Sequence, residues 1–94
     1  MIEIEQEGDG QAGRFVIYEA DEFAGELVFN WSGESKFTIE HTSVEAPFKG
    51  KGFGKQLVME AIAFARKNEL KIVPVCSFAQ RLFNEDQSLQ TVRD

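Results

Sequence analysis

The hydrophobic pattern of this chain changes period once, at a loop over residues 45–52 that holds Pro47, Gly50 and Gly52. Before it, apolar and polar side chains alternate in short runs, the pattern of half-buried strands. After it, Phe53, Leu57, Ala61, Phe64 and Ala65 recur at helical spacing, widened by Val58 and Ile62. A chain that is strand-rich on one side of such a loop and helical on the other belongs to the mixed α+β class.

The strand half divides at turn clusters. Ile2 to Gln6 reads as a short edge strand, and Glu7-Gly8-Asp9-Gly10 as a turn. Arg14 to Ala20 and Glu26 to Trp31 are rich in strand formers, with Asp21 to Gly25 as the hairpin connection between them. Ser32 to Ser35 turns the chain into a third strong strand, Lys36 to Val44. Strict alternation along it puts His41 on the face of Phe37 and Ile39. Short loops make these neighbours antiparallel. The helix from Phe53 should end near Asn68. Lys71 to Val75 then reads as a strand, and Pro74 places it at an edge or in a splayed position. Ser77 is the expected N-cap of a second helix through about Asn84, and residues 85–94 read as polar and loose. The expected architecture is a mostly antiparallel sheet with one βαβ crossover and a short C-terminal helix. The crossover should be right-handed and should make the strands on either side of the long helix parallel neighbours.

Length and composition narrow the function. With 94 residues the expectation is a single domain over 1–94. Nine Phe with Trp31 and Tyr18 are too many rings for a disordered tail. The net charge of −6 argues against binding nucleic acid by neutralising phosphates. No apolar run reaches membrane-span length, and the N-terminus lacks the pattern of a signal peptide, so the expected location is cytoplasmic. One cysteine and one histidine allow neither a disulfide framework nor a Cys/His zinc site, and no metal is expected. The charges are uneven. Residues 1–26 hold eight acids against Arg14, whereas residues 49–71 hold six cations against Glu60 and Glu69.

Lys49-Gly50-Lys51-Gly52-Phe53-Gly54-Lys55 joins the last antiparallel strand to the helix. Glycines let the backbone turn tightly and approach a ligand. The free N–H groups opening a helix favour an anion, phosphate above all. Neither a Walker loop nor a dinucleotide fingerprint fits, because the required glycine falls at Lys55 or Leu57. Against phosphate binding stands the reading of a turn that only joins strand to helix.

Lys49-x-x-Gly52-x-Gly54 resembles the Arg/Gln-x-x-Gly-x-Gly/Ala signature of the GCN5-related N-acetyltransferases, with Lys49 as a departure. The likeness is to a minimal single-domain branch of that superfamily. It is carried by His41-Thr42-Ser43-Val44, by Lys49 to Leu57, and by Ile72 to Phe78 with its Pro-x-Cys segment, and it covers residues 14–84. Asn84-Glu85-Asp86-Gln87 departs from the branch's His-Pro-Glu-Tyr-like stretch. The resemblance implies that the cosubstrate is acetyl-CoA, with its diphosphate on the loop amides. Val44, Lys49, Gly50, Lys51, Gly52, Phe53, Gly54 and Lys55 would form that site. It also implies that Val44 or its neighbour donates an N–H to the thioester carbonyl. The other partner would be an amine of unstated identity, a protein amine or a polyamine, and the protein is expected to be a monomer.

Three residues are candidates for catalysis. Cys76 is an acyl acceptor or a group that steers the CoA sulfur, against the reading of a small residue at a strand end. His41 is a general base or a hydrogen-bonded structural histidine. Glu45, with Glu40, is a nearby carboxylate that could take a proton through water, against a solvated surface role. The superfamily's late tyrosine acid has no counterpart, since Tyr18 lies in an early strand, and Ser43 stands where the branch often has an acid. Three functions follow: an acetyl-CoA-dependent N-acetyltransferase, a non-catalytic CoA or acyl-CoA binding module, and a protein-interaction domain with a merely structural loop.

Overall fold

Alternation up to Val44 builds four strands, as the computed structural model of residues 1–94 describes: β1 Ile2–Gly8, β2 Ala12–Glu19, β3 Glu22–Trp31 and β4 Lys36–Val44. A single 3-10 turn, Ala46–Phe48, leads to α1, Phe53–Lys67. Then come β5 Lys71–Pro74, α2 Ser77–Glu85 and a final 3-10 segment, Gln87–Val92. The strands form one sheet in the order β1-β2-β3-β4-β5. The first three pairings are antiparallel, and β4 and β5 run parallel with α1 as the crossover. The mixed class and the mostly antiparallel sheet match the expectation. β5 is an edge strand, which accommodates Pro74.

Four local expectations are corrected. The hairpin between β2 and β3 is tighter than the expected residues 21–25. Ala20 and Asp21 both sit in the left-handed region, at φ 51° and 67°, as a two-residue hairpin turn requires. Glu22 and Phe23 therefore already belong to β3. Second, the pairing of β3 with β4 shifts register between Val28 and Phe29, so that Phe29 faces Ile39 while Val28 faces His41. The extra residue is Glu40, a β-bulge. It reverses the alternation, and His41 leaves the face of Phe37 and Ile39. Third, the N-cap of α2 is Cys76 rather than Ser77. Its Sγ accepts from the Ala79 N–H at 3.4 Å. Fourth, the C-terminal stretch is packed. Leu89 and Val92 are buried, and the Asp94 N–H donates to the Ile72 carbonyl beside β5. Asp86 caps the 3-10 segment, and hydrogen bonds from the Ser88 hydroxyl and N–H hold its carboxyl below the ordinary range.

All the helical segments lie on one face. Their buried side chains, including Leu57, Ile62, Phe83 and Val92, share one cluster with Phe15, Leu27, Phe29, Phe37 and Ile39 from the sheet. Phe29 is central, with ring centroids 4.9 Å from Phe37 and 5.5 Å from Phe15. The opposite face carries no helix. Directly paired residues share a face, so Val16, Glu26, Val28, His41 and Ser43 lie there. Val16 is buried but stands outside the cluster. Arg14 on the same face bridges Glu7 and Glu26, each at 2.9 Å.

Candidate functional site

The loop after β4 presents a run of main-chain donors. Gly50 and Gly52 adopt φ 84° and 79°, which only glycine takes without strain. A Cβ at either would meet nothing within 4 Å, so these glycines serve the turn and leave the space beside it open. Gly52 is the N-cap of α1 and supplies no capping side chain. The first N–H to bond back is that of Gln56, to the Gly52 carbonyl at 3.1 Å. The N–H groups from Gly50 through Lys55 consequently have no acceptor within the protein. Such a set suits an anion.

These donors edge a cleft of about 490 Å³. One wall is Val44 with Phe48, Lys49 and the loop; the other is Phe78, Arg81, Leu82 and Glu85 of α2. Gly54 is where the two elements meet. A Cβ there would lie 3.0 Å from the Phe78 ring, so the missing side chain at residue 54 lets that ring seat closely.

At the other end of α2 the sheet opens. β5 pairs with β4 only from Lys36↔Lys71 to Ile39↔Pro74. Beyond Pro74 the N–H groups of Val75 and Cys76 both donate to the Ile39 carbonyl, at 3.1 and 3.2 Å, and the chain departs into α2. β4 continues to Val44 with no strand on that side. The Glu45 N–H donates to Ala24 of β3 at 2.8 Å. Backbone N–H groups of an extended strand alternate in direction, so the Val44 N–H points the other way, into the gap. Thr42 shares the helix-side face with Leu27, and its Oγ1 lies 3.5 Å from Cys76 Sγ. The site therefore combines an anion cradle, a cleft and a free strand edge beside a half-buried thiol.

The family model described as GCN5-related N-acetyl-transferase matches residues 14–92. The chain belongs to the GCN5-related N-acetyltransferase family. A GCN5-like protein from Staphylococcus aureus, solved by NMR, is similar over 98% of this chain and 87% of its own, with 31% identity and a TM-score of 0.74. A GNAT family acetyltransferase from Elizabethkingia anophelis, crystallised with acetyl-CoA bound, shares the fold at a TM-score of 0.71 and 17% identity, over 89% of this chain and 72% of its own. Among curated proteins, Protein NATD1 of Xenopus tropicalis is 28% identical over 60 residues, which is 64% of this chain. That match spans 55% of the relative's length, so the chain corresponds to about half of it.

Within this family member, Val44, Lys49, Gly50, Gly52, Phe53, Gly54 and Lys55 gather at the cleft. Lys51 does not line it. Its Nζ pairs with Glu19 at 2.6 Å and lies over the Phe48 ring. Cys76 sits at the gap rather than in the cleft. His41 is exposed on the sheet's bare face, and alternation puts it opposite Thr42, so Cys76 and His41 do not form a pair. Glu45 is exposed just past Val44, in extended conformation. Tyr18 lies on the bare face beside Phe23, 6.5 Å between ring centroids. The cleft also takes in Phe48 and Phe78, from the two stretches that carry the resemblance or adjoin it, while Arg81, Leu82 and Glu85 were not expected. Phe78 and Leu82 are an apolar pair at helical spacing, which marks a packing face of α2 but not the loop it meets.

Proposed function

We propose that this protein is an acetyl-CoA-dependent N-acetyltransferase that acetylates an exposed amine, on a protein or a polyamine. The observation that carries the reading is the run of N–H groups from Gly50 through Lys55, without acceptors and beside a cleft. A diphosphate offers oxygens at the spacing of successive amides. Lys49 and Lys55 add positive charge in a chain that is otherwise acidic. The bound acetyl-CoA of the Elizabethkingia relative supports the choice of ligand.

Acetyl-CoA supplies an activated thioester. The protein's part is to hold it and to stabilise charge. In this reading the Val44 N–H, aimed into the gap between β4 and β5, donates to the thioester carbonyl and strengthens that bond as negative charge develops on the oxygen. The amine approaches from the bare face, where His41, Ser43 and Glu45 lie at the end of β4. His41 and Glu45 are the groups there able to take its proton, directly or through water. In this reading Cys76, on the helix side with Thr42, serves the thioester end rather than the amine.

A non-catalytic CoA-binding module is the second reading. It is favoured by the place of Tyr18 on β2, with β3 between it and β4, and by Ser43 in place of an acid. Two measurements separate the readings. Titration with coenzyme A should shift the amide signals of Gly50, Gly52 and Gly54; no shift at saturation defeats both. Release of free CoA thiol from acetyl-CoA, with spermidine or a lysine peptide, identifies the enzyme. Binding without turnover over a broad amine panel leaves the module.

A further inference from the structure

Ten Lys and Arg side chains serve this chain, and most are engaged. Arg14, Lys36 and Lys51 form ion pairs, while Arg66, Lys71 and Arg93 donate hydrogen bonds to neighbouring oxygens. Four make neither: Lys49, Lys55, Lys67 and Arg81. Lys67 closes the last turn of α1, where a cation complements the helix dipole. The other three line the one cleft, and they come from three elements: the loop, α1 and α2.

Arg81 differs from the two lysines. Its guanidinium lies over the Phe78 ring, 5.9 Å from the centroid, and that ring is seated against Gly54. The stack therefore holds a planar cation beside the opening turn of α1, on the wall facing the loop. Glu85, one turn further along α2, lines the same cleft yet lies beyond ion-pair distance of Arg81. A fork of N–H donors that lies over a ring and has no carboxylate partner is suited to two phosphate oxygens at once.

We propose that Arg81 is a phosphate-binding residue of the cleft, gripping the nucleotide portion of the cosubstrate from α2 while the loop amides hold it from the other side. The proposal rests on the acetyl-CoA reading. It adds a ligand contact from α2 that the glycine signature does not contain.

The test is isothermal titration of coenzyme A and of 3′-dephospho-CoA into the wild type and into the Arg81→Gln, Arg81→Lys and Lys67→Gln variants. Arg81 is exposed, so its variants should keep the amide spectrum of the fold. Arg81→Gln should weaken coenzyme A by about ten- to hundredfold, the size of a charged hydrogen bond. Arg81→Lys should fall between, and Lys67→Gln should match the wild type. If the loss is the same for both ligands, Arg81 holds the diphosphate; if it vanishes with dephospho-CoA, Arg81 holds the 3′-phosphate. Equal affinity of wild type and Arg81→Gln overturns the proposal and leaves the coenzyme reading standing. An equal loss in Lys67→Gln also overturns it, because the effect is then general charge. A wild type that binds no coenzyme A defeats the underlying reading instead.

Discussion

Gly52 and Cys76 each carry two jobs, and substitution separates them. Gly52→Ala places a side chain in the left-handed region without a steric neighbour. It should destabilise the protein by about 1 kcal/mol in urea unfolding, and it should weaken coenzyme A binding by turning the adjacent amides. Cys76 caps α2 and lies beside the gap. Cys76→Ala should cost about 0.5 kcal/mol from the lost cap, whereas Cys76→Ser should keep it. Acetyl transfer by direct attack survives in the serine variant; a relay through the thiol does not, and steady-state turnover distinguishes them. The loop residues were readable because glycine and lysine spacing between a strand and a helix states a local chemistry. The seating of Phe78 against Gly54, with Arg81 over its ring, was not, because it is made by the tertiary approach of α2 and leaves no local signal.

At the level of elements, strand formers, turn clusters, a cap residue and periodicity together revealed five strands and two helices, and periodicity failed where one residue breaks the count. Glu40 is such a residue. Nothing in Phe-Thr-Ile-Glu-His announces a bulge, and its effect is to send His41 to the face away from Cys76. The C-terminal segment failed for another reason. Leu89 and Val92 are two apolar residues among polar ones, too few to show a period, yet both are buried against the helices. Leu89→Ala should therefore destabilise by about 2–3 kcal/mol in urea unfolding, where a loose tail would register nothing. Acid acts on the same segment. The Asp86 carboxyl is depressed by its bonds from Ser88, so its contribution is complete above the ordinary value of 3.8 and is lost as pH falls through the lower folded value. Protection of the Ser88 and Leu89 amides, relative to unstructured amides at the same pH, should fall over that range, and Asp86→Asn should remove the dependence.

The molecule as a whole is one-sided. One cluster, centred on Phe29, joins the sheet to α1, α2 and the C-terminal segment. Phe29→Ala should lower stability by about 3–5 kcal/mol, in a single cooperative transition seen alike by far- and near-ultraviolet circular dichroism. His41→Ala, on the face without helices, should stay within about 0.5 kcal/mol of the wild type. That asymmetry bears on how such a scaffold diversifies. Side chains such as Glu26, Val28, His41 and Ser43 can be exchanged without repacking the interior, so under the proposed reading recognition of new amines is open to rewriting there at little risk to folding. A combinatorial library confined to those positions would test that reading while the run of free amides from Gly50 through Lys55 stays as it is.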